Sequence, residues 1–121
     1  MGNHREHPGF DVFSPRCPSR QTLENVTGRW GSLTLAALAD GPLRFGALRR
    51  RIEGVSEKML SQTLKALEAD GLVSRTDHAT SPPRVDYALT APGEQVAAAV
   101  VALISALYAV LPDVLSAESS A

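Results

Sequence analysis

Three sets of side chains in this 121-residue sequence have the types and spacing to do chemistry. The first is Cys17, the one cysteine, set between Arg16 and Pro18 with Arg20 near. Proline favours the first turn of a helix. The thiol therefore sits at a predicted helix N-terminus, where cationic neighbours and the helix dipole both favour thiolate. It is the one candidate nucleophile; the competing reading is a small packed residue. The second set is Ser56, Glu57, Lys58, Ser61, Gln62 and Lys65, whose hydrogen-bonding groups recur at helical spacing. Gln pairs bidentately with adenine and Lys meets guanine or phosphate, so such a face suits base edges. Glu57 would accept from cytosine or cap the helix dipole. Arg75 and Arg84 suit phosphate or minor-groove contacts. Taken alone, a charged helix face is usually only a solvated one. The third set is His4, His7 and His78. His4 and His7 have ligand spacing but fall in a proline-punctuated arm, and His78 lies far along the chain, so no metal site is expected.

The sequence contains no Ser–His–Asp grouping with a recognisable motif, no glycine-rich phosphate loop and no paired carboxylates in a catalytic context. Neither an enzyme nor a cofactor is expected. Hydrophobic residues make up 44% of the chain and charged ones 21%, ordinary values for a single soluble domain. One cysteine leaves no internal disulfide, in keeping with a reducing cytosol. The N-terminal stretch MGNHREHPGFDVF has no apolar run long enough for a signal peptide, so a cytoplasmic location is expected. The net charge of −1 conceals a gradient: residues 1–43 are neutral, 44–75 carry +3 and 76–121 carry −4. A phosphate backbone is met by one face and not by an average, so the basic middle is informative.

The elements that must position these residues follow from periodicity. Residues 1–16 read as a flexible arm. A first helix begins at Pro18 and breaks at Gly28. A second runs from Trp30 to Leu38, and a third carries Phe45, Leu48 and Ile52. The fourth is the clearest: Ser56 is a good N-cap, Gly71 a good C′ residue, and Leu60, Leu64 and Leu67 form one stripe. The period then changes to two. Strands are predicted near 72–76 and 85–89, joined by a tip containing Pro82-Pro83.

Thr90 caps a last helix expected over about 91–111, uncharged from Gln95 to Pro112. Val96, Val100, Leu103, Leu107 and Val110 read as one stripe, and Val101, Ile104, Tyr108, Leu111 and Leu115 as a second. Two apolar sides need two partners, the domain itself and a second copy. A membrane span is not expected: six of residues 97–109 are Ala, and neither an aromatic belt nor a basic cluster flanks the stretch.

Three helices, an amphipathic fourth, a hairpin and a long helix are the order of a winged helix-turn-helix, an α+β fold that is mainly α. The second helix of such a pair enters the major groove. Against that order, Cys17-Pro18, Gly28-Arg29-Trp30, Arg44-Phe45, Gly54-Val55-Ser56, Lys58-Met59-Leu60, Leu67-Glu68, Gly71-Leu72-Val73, Arg75, Pro82-Pro83, Tyr87 and Leu89-Thr90 together resemble the HxlR family of bacterial regulators within the MarR-like superfamily. Arg29 stands where Lys is commoner, and Gly46 and Ala47 depart from the usual third helix.

The resemblance implies a homodimer held by its first and last helices on pseudo-palindromic double-stranded DNA. It makes Ser56, Lys58, Ser61, Gln62, Lys65, Arg75 and Arg84 the expected DNA contacts, within a domain spanning 17–115 and ahead of a tail at 116–121. It also makes Cys17 a candidate sensor of electrophiles or oxidants. Trp30, Leu103, Leu107 and Tyr108 are candidates for an effector pocket or the dimer interface. The alternative is a winged helix that binds protein rather than DNA, which an apolar or acidic fourth-helix face would have signalled.

Overall fold

The computed structural model describes residues 10–120, with side chains to 116. The elements are α1 (Pro18–Thr27), α2 (Gly31–Leu38), β1 (Leu43–Arg44), α3 (Phe45–Arg51), α4 (Glu57–Ala69), β2 (Val73–His78), β3 (Arg84–Leu89) and α5 (Ala91–Ser120). Pro18 occupies the first turn of α1, and Gly28 ends it in an extended conformation. The core is aliphatic: Leu35, Leu38, Leu48, Leu60, Leu64 and Leu67 are fully buried. Each such side chain contributes roughly 1.5–3 kcal/mol through burial. The one buried polar residue among those described, Thr34, donates its hydroxyl to the Trp30 carbonyl at 2.8 Å.

The fourth helix begins and ends as its sequence dictates. Ser56 Oγ accepts the Met59 backbone N–H at 3.1 Å. At the other end Gly71 takes φ +78, its N–H reaches the Glu68 carbonyl, and the Leu72 N–H reaches Leu67. That pair of bonds is a Schellman motif, and it needs a glycine at the left-handed position. The chain leaves it directly into β2.

The sheet has three strands rather than two. β2 and β3 pair antiparallel from Val73↔Leu89 to His78↔Arg84, and β1 adds to the far side of β3 through Leu43↔Tyr87 and Arg44↔Asp86. A strand of two residues leaves no period to read, which is why it was not expected.

Residues 10–16, expected as part of a flexible arm, form consecutive turns. Asp11 Oδ1 accepts from Phe13 N and Ser14 Oγ from Arg16 N, while Ser14 N and Cys17 N close the backbone bonds. Asp and Ser favour such local bonds to the backbone. Residues 1–9, and with them His4 and His7, lie outside the described residues.

The last helix differs from expectation in length and in packing. It continues through Pro112 to Ser120. Pro112 removes one intrahelical donor, and there the side chains are exposed, so water can satisfy the carbonyl left over. Gly93, Ala97 and Val100 are buried, and Val96 and Ile104 pack beside the core. The stripe facing the domain is therefore Gly93, Ala97, Val100 and Ile104, which takes one member from each of the two stripes expected. It continues past the body as Leu107, Leu111 and Val114, all exposed, with the alternating three- and four-residue spacing of a helix–helix seam. Flanking residues Leu103, Tyr108 and Leu115 are exposed too. By length and composition this helix could cross a membrane.

Candidate nucleic-acid interface

With Leu60, Leu64 and Leu67 buried, helical geometry turns Lys58, Gln62 and Lys65 to the opposite side of α4, and all three are exposed. Ser61 is half-buried on one flank. Ser56 is exposed, but its hydroxyl is committed to the cap. On the other flank Met59, 40% exposed, borders a groove against the α1–α2 turn. Both ends of the helix are clamped. Arg49 of α3 donates to the Val55 carbonyl and to Glu57 Oε2, each at 3.4 Å. Glu57 thus faces a cation at the N-terminal end of the polar face, an exposed pair that contributes little stability. At the C-terminal end, Thr90 Oγ1 donates to the Gly71 carbonyl at 2.6 Å and Thr90 N to Leu72 at 3.1 Å. The start of α5 is thereby fastened to the point where α4 becomes the sheet.

The register separates the two arginines expected on the hairpin. Arg75 lies opposite Tyr87, which packs with Leu43 against the core, so Arg75 shares that face of the sheet. Arg84 lies opposite His78 on the other face, with Asp86 and Arg44. Arg84 Nη2 donates to Asp86 Oδ2 at 3.2 Å, and His78 Nε2 lies 2.9 Å from the same oxygen. The Arg84 hydrogen bond, with that of His78, holds the Asp86 carboxyl below the usual carboxylate range. Arg75 is exposed and has no ion-pair partner among the described residues, whereas Arg84 would have to share itself between Asp86 and a phosphate.

Arg29 and Arg44 were not expected at this surface. The Arg29 guanidinium lies 4.8 Å from the Trp30 ring centroid, beside the groove that Gln62 borders. Arg44 is placed on the outer sheet face by β1. The basic residue before Trp30 was visible in the sequence as a motif; the position of Arg44 depended on the unread strand.

Cys17 is the N-cap residue of α1 and is partly exposed. Its Sγ shares a 2.9 Å hydrogen bond with Ser19 Oγ and accepts the Asp11 backbone N–H at 3.1 Å. These two bonds, Ser19 first, lower its pKa against the opposing effect of burial, and backbone N–H groups of the first helical turn add to the lowering. The expected cationic cause is not the one found: Arg20 is turned to Glu24 at 3.1 Å and to the Phe13 carbonyl.

Within one subunit, Trp30, Leu103, Leu107 and Tyr108 do not border a common cleft. Trp30 packs on the core and borders the α4 groove. Tyr108 borders a separate cleft of about 450 Å³ between α2, the end of α3 and α5, together with Leu33, Arg51, Ile52 and Ile104. Leu103 and Leu107 border neither.

Residues 25–112 match the HxlR-like helix-turn-helix family. An uncharacterized HTH-type transcriptional regulator of Escherichia coli (strain K12), YtfH, is 51% identical over 106 residues, covering 88% of this chain and 84% of the relative. Among solved structures, the transcriptional regulator YtfH from Salmonella typhimurium aligns with a TM-score of 0.84 at 49% identity, covering 91% of this chain and 98% of that one. The redox regulator HypR in its reduced form aligns with a TM-score of 0.73 at 32% identity, covering 83% and 98%.

Proposed function

The chain belongs to the HxlR-like helix-turn-helix family and is a DNA-binding transcriptional regulator, and we propose that it binds a pseudo-palindromic operator as a homodimer with α4 of each subunit in the major groove. The observation that carries this reading is the exposed face of Lys58, Gln62 and Lys65 on a helix whose ends are both clamped. Gln62 offers a donor and an acceptor to adenine, and the two lysines reach guanine or phosphate. Ser56 and Ser61 flank them. Arg75 and Arg84 meet the backbone on either side of the sheet.

The dimer forms through the part of α5 beyond Ile104. Its exposed seam of Leu107, Leu111 and Val114 continues the packed stripe, and a second copy supplies the missing partner. The packing of Ala97, Val100 and Ile104 on the domain favours this over a bilayer. The protein acts in the cytoplasm, where its DNA lies. Cys17 serves as the sensor, its thiolate favoured by the bonds around it, and HypR offers a redox-regulating relative for that role. The cleft beside Tyr108 is the second place for an effector.

Sedimentation with a duplex selected by the protein from a randomised pool tests the assembly. Two subunits per duplex, bound with affinity that falls steeply with salt, are expected. One subunit per duplex contradicts the dimeric operator.

A further inference from the structure

We propose that Asp70 is a positioning residue that sets the angle of α4 on α1 through a polar latch to Thr22 and Asn25. The proposal rests on the reading of α4 as the DNA-reading helix. Asn25 Nδ2 donates to Asp70 Oδ2 at 2.8 Å, and Thr22 Oγ1 donates to Asp70 Oδ1 at 3.3 Å. Thr22 and Asn25 are three residues apart on α1 and so share a face. Gln21 Nε2 donates to Asn25 Oδ1 at 3.1 Å, which holds the Asn25 amide in the orientation the latch needs.

Two features set this contact apart from an incidental hydrogen bond at the surface. Asp70 is the C-cap residue of α4, the last turn holds no basic residue, and Glu68 is close by. A carboxylate at the negative end of a helix dipole is locally unfavourable. Breaking a local rule of this kind is expected where a tertiary requirement outweighs it. The second feature is the seam itself. Towards the middle of α4, the space between Asn25, Gly28 and Trp30 on one side and Met59, Gln62, Thr63 and Ala66 on the other is an open groove of about 250 Å³. Close packing does not fill that part of the seam, so on its α1 side α4 is held chiefly by the polar contacts near its C-terminal end.

The consequence reaches DNA recognition. In the proposed dimer, the two α4 helices must meet half-sites roughly 34 Å apart at once. The latch ties each of them to α1, the helix whose N-cap residue is Cys17. Loss of the latch lets α4 tilt, which blurs the match to half-site spacing without removing any group that touches phosphate.

The test uses full-length dimeric protein and three duplexes: one selected by wild type from a randomised pool, the same duplex with one base pair inserted at its centre, and a random duplex. Asp70→Ala is expected to bind the random duplex as wild type does. Its preference for the selected duplex should fall about tenfold, the loss that follows from misplacing one base contact. Its penalty for the inserted base pair should fall as well. Asn25→Ala and Thr22→Val should move the same ratios in the same direction, and Asp70→Ala/Asn25→Ala should be no worse than Asp70→Ala alone. Wild-type ratios in folded Asp70→Ala overturn the latch. If that variant does not fold, wild-type ratios in Asn25→Ala and Thr22→Val overturn it. Failure of the wild type itself to select any sequence overturns the reading of α4, a separate and distinguishable result.

Discussion

Gly93, in the first turn of α5, lies directly against the backbone carbonyl of Leu72, leaving no space for a Cβ. Leu72 closes the Schellman motif of α4, so this contact joins the end of the reading helix to the start of the long helix. Thr90 tightens the same junction, its Oγ1 accepting the Gly93 N–H at 3.0 Å while its hydroxyl donates to Gly71. Gly93→Ala must push the two segments apart. Overpacking of this kind costs roughly 1–3 kcal/mol. Urea unfolding should show a lower midpoint at unchanged slope; an unchanged midpoint would mean that the junction is loose.

Leu107→Glu tests the exposed seam. Leu107 is 52% exposed, so a carboxylate there leaves the subunit's own packing intact. Buried against a second copy, it costs roughly 3 kcal/mol or more, a loss of about 100-fold or more in dimer affinity. Sedimentation equilibrium should show folded monomer. A tight dimer at wild-type affinity would place the interface elsewhere.

The Cys17 environment makes a prediction about pH. A pKa lowered in the folded state means that the thiolate is populated at lower pH than for an ordinary thiol. The stabilising contribution of that thiolate is present at high pH and is lost as pH falls through the folded value. The rate of alkylation by iodoacetamide should therefore have its midpoint below that of an ordinary, unperturbed cysteine thiol. Ser19→Ala, which removes the first cause of the shift, should move that midpoint upwards. Cys17→Ser should bind DNA normally and no longer respond to a quinone. An identical quinone response in Cys17→Ser and wild type would move sensing to the cleft beside Tyr108.

The sequence made α4 legible because its signals agree: Ser56 caps it, Gly71 ends it and three leucines mark its buried side. The hairpin was legible from its period of two, and β1 was not, because two residues carry no period. The stripes of α5 were misdivided for a different reason. Where nearly every residue is apolar, spacing alone does not say which of them meet the domain, and only the contact with the body singles out Ala97, Val100 and Ile104. Cys17 was recognisable as a perturbed thiol, but the cause lay in Ser19 and the folded-back Asp11 rather than in the arginines. The Asp70 latch was invisible, since its partner Asn25 stands 45 residues away.

Gln62 provides the most direct measurement of the claim that the α4 face reads DNA sequence. Binding of wild type and Gln62→Ala is titrated on the selected duplex and on a random one at the same salt. If Gln62 pairs with a base, the variant loses roughly 1–3 kcal/mol on the selected duplex and almost nothing on the random one. Equal losses on both duplexes, or none on either, would contradict base reading by this face.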